Sequence, residues 1–227
     1  MRLTIPIGLA ILLGHAGFAQ TKPDVAEILK KLSATYKAAT QYELVMDRVE
    51  KDPASGESAG AHIRTALKLP DRYRIERKAV GNSNEVNIVV LDGSALWMYD
   101  SELNQYASYP AALIGKGLPA EIGPSGVDDS NMTRFRSAQD NAASAKLLRE
   151  EDVEVGNALV ACYVVALTDG DDAYTWWIDR KTSHVVREND ATSMTIFTVV
   201  KLGEMLPAST FKFDPPAGAR KADPNQR

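Results

Sequence analysis

The apolar positions of this chain follow two periods. Val25, Ile28, Leu29, Leu32 and Tyr36 recur at three- and four-residue intervals, the spacing of one face of a helix. Thr21 and Asp24 flank Pro23 just before that stripe, a start signal, so a helix is predicted to run to about Ala39. Such a helix is marginal in water by itself, and its apolar stripe must pack on something.

From there the period drops to two. In YELVMDRVE, Leu44, Met46 and Arg48 alternate with Val45, Asp47 and Val49, and the polar break KDPASGESAG separates this run from AHIRTALKL. The pair reads as a hairpin. Pro70-Asp71 turns the chain into RYRIERK, with Tyr73 and Ile75 on one side and Arg72, Arg74 and Glu76 on the other. EVNIVVL and ALWMYD meet at Asp92-Gly93, a strong hairpin signal. QYASY, AKLLREEDVEV, NALVACYVVAL, AYTWWID, SHVVREN and SMTIFTVVKL continue the series, broken at Gly156, Asp169–Asp172, Arg180–Thr182 and Asp190. The expected fold is mainly β, one large antiparallel sheet, open or curled.

Ile88–Leu91, Leu159–Leu167 and Ile196–Val200 are apolar on both faces, whereas a sheet with one wet face alternates. Two explanations fit: central strands covered on both sides, or a curled sheet whose apolar concave surface takes a ligand. Between the strand blocks, Leu113, Ile114, Leu118 and Ile122 lie among glycines and prolines. These positions read as short interrupted helical pieces, either a cap over the sheet end or a lid. A second short helix is expected between Asp129 and Gln139, packed through Met132 and Phe135.

The amino terminus adds a compartment. Arg2, the run LTIPIGLAILLG, and Gly17 and Ala19 fit a secretory signal peptide over residues 1–19, cleaved after Ala19. Residues 20–227 are then expected to form one periplasmic domain. Asp and Glu outnumber Lys and Arg, 30 to 26, which argues against a nucleic-acid footprint and against a basic stripe for anionic membranes. Cys162 is the one cysteine, so no internal disulfide forms, and its apolar surroundings predict a buried, inert thiol. His62 and His184 remain after signal removal, and no spacing of His, Cys, Asp and Glu suits zinc. TDGDDAY at 168–174 reads as a solvated turn rather than a calcium loop. GESAG at 56–60 matches G-x-S-x-G only formally, because that motif needs a strand before the serine and a helix after it. No cofactor and no enzymatic activity are expected, since no nucleophile–base pair stands out.

Two stretches carry a family resemblance. VNIVVLDGSALWMYDSELNQYASYP at 86–110 and FKFDPPAGA at 211–219 resemble the outer-membrane lipoprotein carrier (LolA-like) family. In that family an apolar strand, an Asp-Gly turn and a Leu-Trp-aromatic-Tyr strand precede a Gln, and a closing strand carries Pro-Pro. The order of signal peptide, amphipathic helix, hairpin and the proline-led LPDRYRIER agrees. The resemblance implies an incomplete barrel of about eleven antiparallel strands, with an N-terminal helix and short lid helices over an apolar concave face. By motif position, Leu67, Leu69, Tyr73, Ile75, Val89, Leu91, Trp97 and Tyr99 would line that face, closed by Leu113 and Ile114. The implied function is a periplasmic carrier, a monomer that shelters acyl chains of a lipid or lipoprotein and exchanges them with inner- and outer-membrane transfer partners. Carriers of the best-known type hold an arginine before the proline of the third strand, as a lid latch. Here that residue is Leu69, which favours another lipid or another task. The alternative is an envelope sensor or protein-interaction module on the same fold.

Overall fold

A computed structural model of the chain describes residues 23–81, 85–113 and 130–222. The proposed signal peptide, Ile114 and the rest of the expected lid segment to residue 123 lie outside the described residues. Among them, the strands are β1 (Gln41–Lys51), β2 (Ser58–Lys68), β3 (Arg72–Val80), β4 (Val86–Asp92), β5 (Ala95–Asp100) and β6 (Gln105–Pro110). After an intervening helix come β7 (Lys146–Val155), β8 (Ala158–Asp169), β9 (Asp172–Asp179), β10 (Val185–Asn189), β11 (Ser193–Leu202) and the two-residue β12 (Arg220–Lys221).

All twelve belong to one curled, unclosed sheet of order β12-β6-β5-β4-β3-β2-β1-β11-β10-β9-β8-β7. Every pairing is antiparallel except that of β12, which runs parallel to β6. The ladder between β1 and β11 joins the two blocks of hairpins at the middle of the sheet. This is the incomplete barrel expected, with a β12 that pairs over only two residues.

Helix α1 (Val25–Ala38) begins where Asp24 Oδ1 accepts the Ala26 amide at 3.0 Å. Ile28, Leu29, Leu32 and Tyr36, four of the five residues of the predicted stripe, are buried on the concave side of the sheet. Helix α2 (Ser130–Ser137) follows the expected position, and Met132 and Phe135 are fully buried. A 3-10 segment, Ala138–Ser144, leads from α2 into β7.

Together α1 and α2 cover β1 and β8–β11. Phe135 is the hub, with ring centroids 5.0 Å from Tyr36, 5.2 Å from Trp176 and 5.7 Å from Phe197. The Tyr36 hydroxyl accepts the Val185 amide at 3.1 Å, tying α1 to β10, and burial pushes that phenol above its ordinary range.

The convex side explains the two-faced strands without a second sheet. Cys162, Val164, Trp177 and Val186 form a small cluster there. The Arg187 guanidinium lies 4.4 Å from the Trp177 ring centroid. Burial pushes the Cys162 thiol up to about 12, with Asp179, Glu151 and Asp152 adding to it; the buried thiol is as expected. Over β2–β6 the convex side is crossed by residues 203–222. The stretch expected as a closing strand is instead a short 3-10 turn, Ala208–Phe211, and a strap without ladder pairing until Arg220. Pro207, Pro215 and Pro216 have no N–H to give a ladder.

Candidate functional site: the concave apolar face

The register of the hairpins decides what faces the hollow. Residues paired directly across antiparallel strands lie on the same face. One row runs Tyr42, Leu67, Tyr73, Leu91, Leu96 and Tyr109 across β1–β6. The next row, two residues along, runs Leu44, Thr65, Ile75, Val89, Met98 and Ala107. Tyr42, Leu44, Leu67 and Tyr73 belong to the core that α1 and α2 cover, which identifies both rows as concave. On β3–β6 the picture changes, because Ile75, Val89, Leu91, Met98, Ala107 and Tyr109 are only half-buried. One row further, Arg77, Asn87, Asp100 and Gln105 share this face and give the strip a polar rim.

With strands ~4.8 Å apart, four of them make an apolar strip about 14 Å across and two rows deep. Side chains of this strip offer dispersion and desolvation and no charged group. It is suited to an aliphatic chain rather than to bond-making.

The ten residues expected to line one surface are divided by this register. Ile75, Val89 and Leu91 share the strip, and Tyr73 and Leu67 lie next to them on the same face in the closed core. Trp97 and Tyr99 require a correction: they pair with Val90 and Ile88 and so project from the convex face. The indole N–H of Trp97 donates to Asp92 Oδ2 at 2.9 Å. Burial raises the Asp92 carboxyl, but hydrogen bonds from Ser94, Ala95 and the indole outweigh this and bring it down to about 2. Leu69 is 50 % exposed in the turn between β2 and β3. Leu113, 45 % exposed, ends a 3-10 turn after β6. Ile114 lies outside the described residues.

Two features of the concave side escaped the sequence reading. Met98 is a strip residue and Leu96 a buried residue of the same face, both visible in principle, since a two-residue turn makes odd-numbered β4 residues face even-numbered β5 residues. The other is a pair of arginines on α2. Arg134 Nη2 donates to Glu188 Oε1 at 2.7 Å, and the Trp176 indole donates to the second oxygen at 2.8 Å. The Arg134 guanidinium also lies 4.9 Å from the Tyr174 ring centroid. Burial pushes the Glu188 carboxyl above its ordinary value against the pull of Arg134 and Trp176. Arg136 donates to the carbonyls of Tyr36 and Ala39 at the end of α1, at 3.3 and 3.1 Å. The helices are thus fixed to each other and to β10. No local motif announces such long-range ion pairs.

Ser58 of the formal G-x-S-x-G match opens β2 at an exposed hairpin. Among the described residues no group of three or more His, Cys, Asp and Glu is arranged to hold a metal ion.

No family model and no curated protein matches the chain. The chain is similar to several solved structures at low sequence identity. LprF from Mycobacterium bovis is 12 % identical, with 82 % of this chain and 96 % of that chain covered and a TM-score of 0.47. For a LolA superfamily protein from Nitrosomonas europaea the identity is 14 %, the coverage 85 % and 99 %, and the TM-score 0.37. A chain of the MucA/MucB complex from Pseudomonas aeruginosa is 13 % identical, with a TM-score of 0.44, and 85 % of this chain spans 62 % of its length.

Proposed function

We propose that residues 20–227 act as one exported unit, a periplasmic binding protein that shelters an acyl chain of a lipid or lipoprotein on the concave strip of β3–β6. The observation that carries this reading is the half-burial of Ile75, Val89, Leu91 and Met98 on the same face whose remainder is closed by α1 and α2. Each methylene taken from water contributes about 0.8 kcal/mol. A chain of about ten methylenes laid on the strip would thus gain roughly 8 kcal/mol before ordering costs. Arg77, Asn87, Asp100 and Gln105 at the rim would keep a polar head in water. Transfer partners at the inner and outer membranes would complete such a carrier.

The test combines native mass spectrometry of protein purified from cell envelopes with titration of a fluorescent fatty acid. Copurified lipid, and a Met98→Asp variant that keeps its melting temperature but binds the fatty acid about tenfold more weakly or worse, are expected, since a carboxylate in an apolar strip is strongly unfavourable. A lipid-free protein with no fatty-acid uptake would overturn the carrier and favour a protein-interaction module on the same fold.

A further inference from the structure

The charged residues on and beside the concave face of β1–β6 are few, and all but one are engaged. Arg48 and Glu50 pair with each other at 2.7 Å. Glu85, just before β4, accepts the Asn87 side-chain amide at 2.6 Å. Asp100 Oδ1 accepts the Glu102 and Leu103 amides of the following turn at 2.8 and 3.1 Å. Arg77 is the exception: among the described residues its guanidinium has neither an ion pair nor a hydrogen-bond partner. On the convex face of the same strands, by contrast, Arg64 has Glu43 and Arg74 has Glu76.

Register places Arg77 between Ile63 of β2 and Asn87 of β4. It stands one row, ~7 Å, beyond Ile75 and Val89. Ile63 packs against the closed core, so the stem of Arg77 has an apolar flank from which the charged end reaches water. Asp100 shares this row two strands away. At ~10 Å by strand spacing it is too distant for an ion pair. An uncompensated cation thus stands where an apolar strip meets solvent. That arrangement holds an amphiphile by both ends, with the tail desolvated on the strip and the head beside an opposite charge. At an exposed site the charge adds little raw affinity and acts mainly on the choice between ligands.

We propose that Arg77 is the counter-charge for the head of the bound chain, so that the strip takes anionic amphiphiles, with a carboxylate or phosphate head, in preference to neutral ones of the same length. The tail then runs along β3 and β4 over Ile75, Val89 and Leu91 toward the closed core. The inference rests on the acyl-chain reading and deepens it by naming the head.

The test displaces a neutral fluorophore, N-phenyl-1-naphthylamine, with dodecanoate, dodecyl phosphate and dodecanol, each kept monomeric. The parent is expected to bind the anions at least about threefold more tightly than the alcohol, within the range of an exposed ion pair. A preference for either anion supports the proposal and identifies the head. The preference should shrink as salt is raised, because Arg77 is open to solvent. Arg77→Gln should abolish it and leave dodecanol affinity unchanged, whereas Arg77→Lys, which keeps the charge, should retain most of it. Equal binding of anions and alcohol to the parent, or a preference that survives Arg77→Gln, would overturn this inference and leave the acyl-chain reading standing. No displacement by any of the three would overturn both. Should Arg77→Gln fail to fold, the parent decides: a preference indifferent to salt would overturn the proposal.

Discussion

The two ends of the concave face are built from the same pleat and differ in what crosses them. Over β1 and β8–β11, Phe135, Tyr36, Trp176 and Phe197 interlock beneath two helices and are essentially excluded from water. Over β3–β6, aliphatic residues of similar character stay half-buried. Apolarity alone does not make a core: one set of side chains gained partners from α1 and α2, and the other kept its faces available. Stability is concentrated in the first region, and capacity for an apolar ligand in the second.

That contrast is open to attack by mutation. The largest effect is expected at the aromatic hub, where Phe135→Ala should cost about 3–5 kcal/mol, read from denaturant unfolding. The matching change in the open region, Ile75→Ala, should cost only about 1–2 kcal/mol because the side chain is incompletely buried, while it weakens fatty-acid binding. Equal costs at the two sites would erase the distinction.

A comparable loss is expected for Arg134→Ala, about 3–5 kcal/mol near neutral pH, because Glu188 would be left buried without its counter-charge. The sign with pH follows from burial. A carboxyl whose folded-state pKa is raised costs stability while ionised and recovers it as pH falls through that raised value. The deficit of Arg134→Ala relative to the parent should therefore shrink as pH is lowered toward the ordinary carboxylate value of 4.5. Paired melting curves across that range measure it, and a deficit that grows in acid would contradict the buried-pair account. The smallest effect belongs to Leu69→Arg. In its exposed turn the substitution should shift stability by no more than about 0.5 kcal/mol and leave fatty-acid uptake unchanged. A marked drop in uptake would mean that position 69 reaches the hollow.

The helix α1, the hairpins about the 52–57 break, Asp71 and Asp92-Gly93, and the burial of Cys162, Met132 and Phe135 were all legible locally, because spacing, turn chemistry and caps act over a few residues. The faces of the expected lining residues were legible only in part. Ile75, Val89 and Leu91 share the strip, whereas motif position alone assigns Trp97 and Tyr99 to the hollow. The pairing of Val90 with Trp97 places them under Phe213 instead.

What the sequence determined by itself is the alternation: which residues share a strand face and where each strand must turn, since the pleat repeats every two residues whatever surrounds it. What only the tertiary structure decided is the use of each face. Helix α2 reaches Glu188 across 54 residues of chain, and Phe213 reaches Trp97 from the far end of the protein. Such contacts depend on how the sheet curls and where the strap crosses it. No short-range pattern encodes these, because their free energy is gained only once distant segments have been brought together.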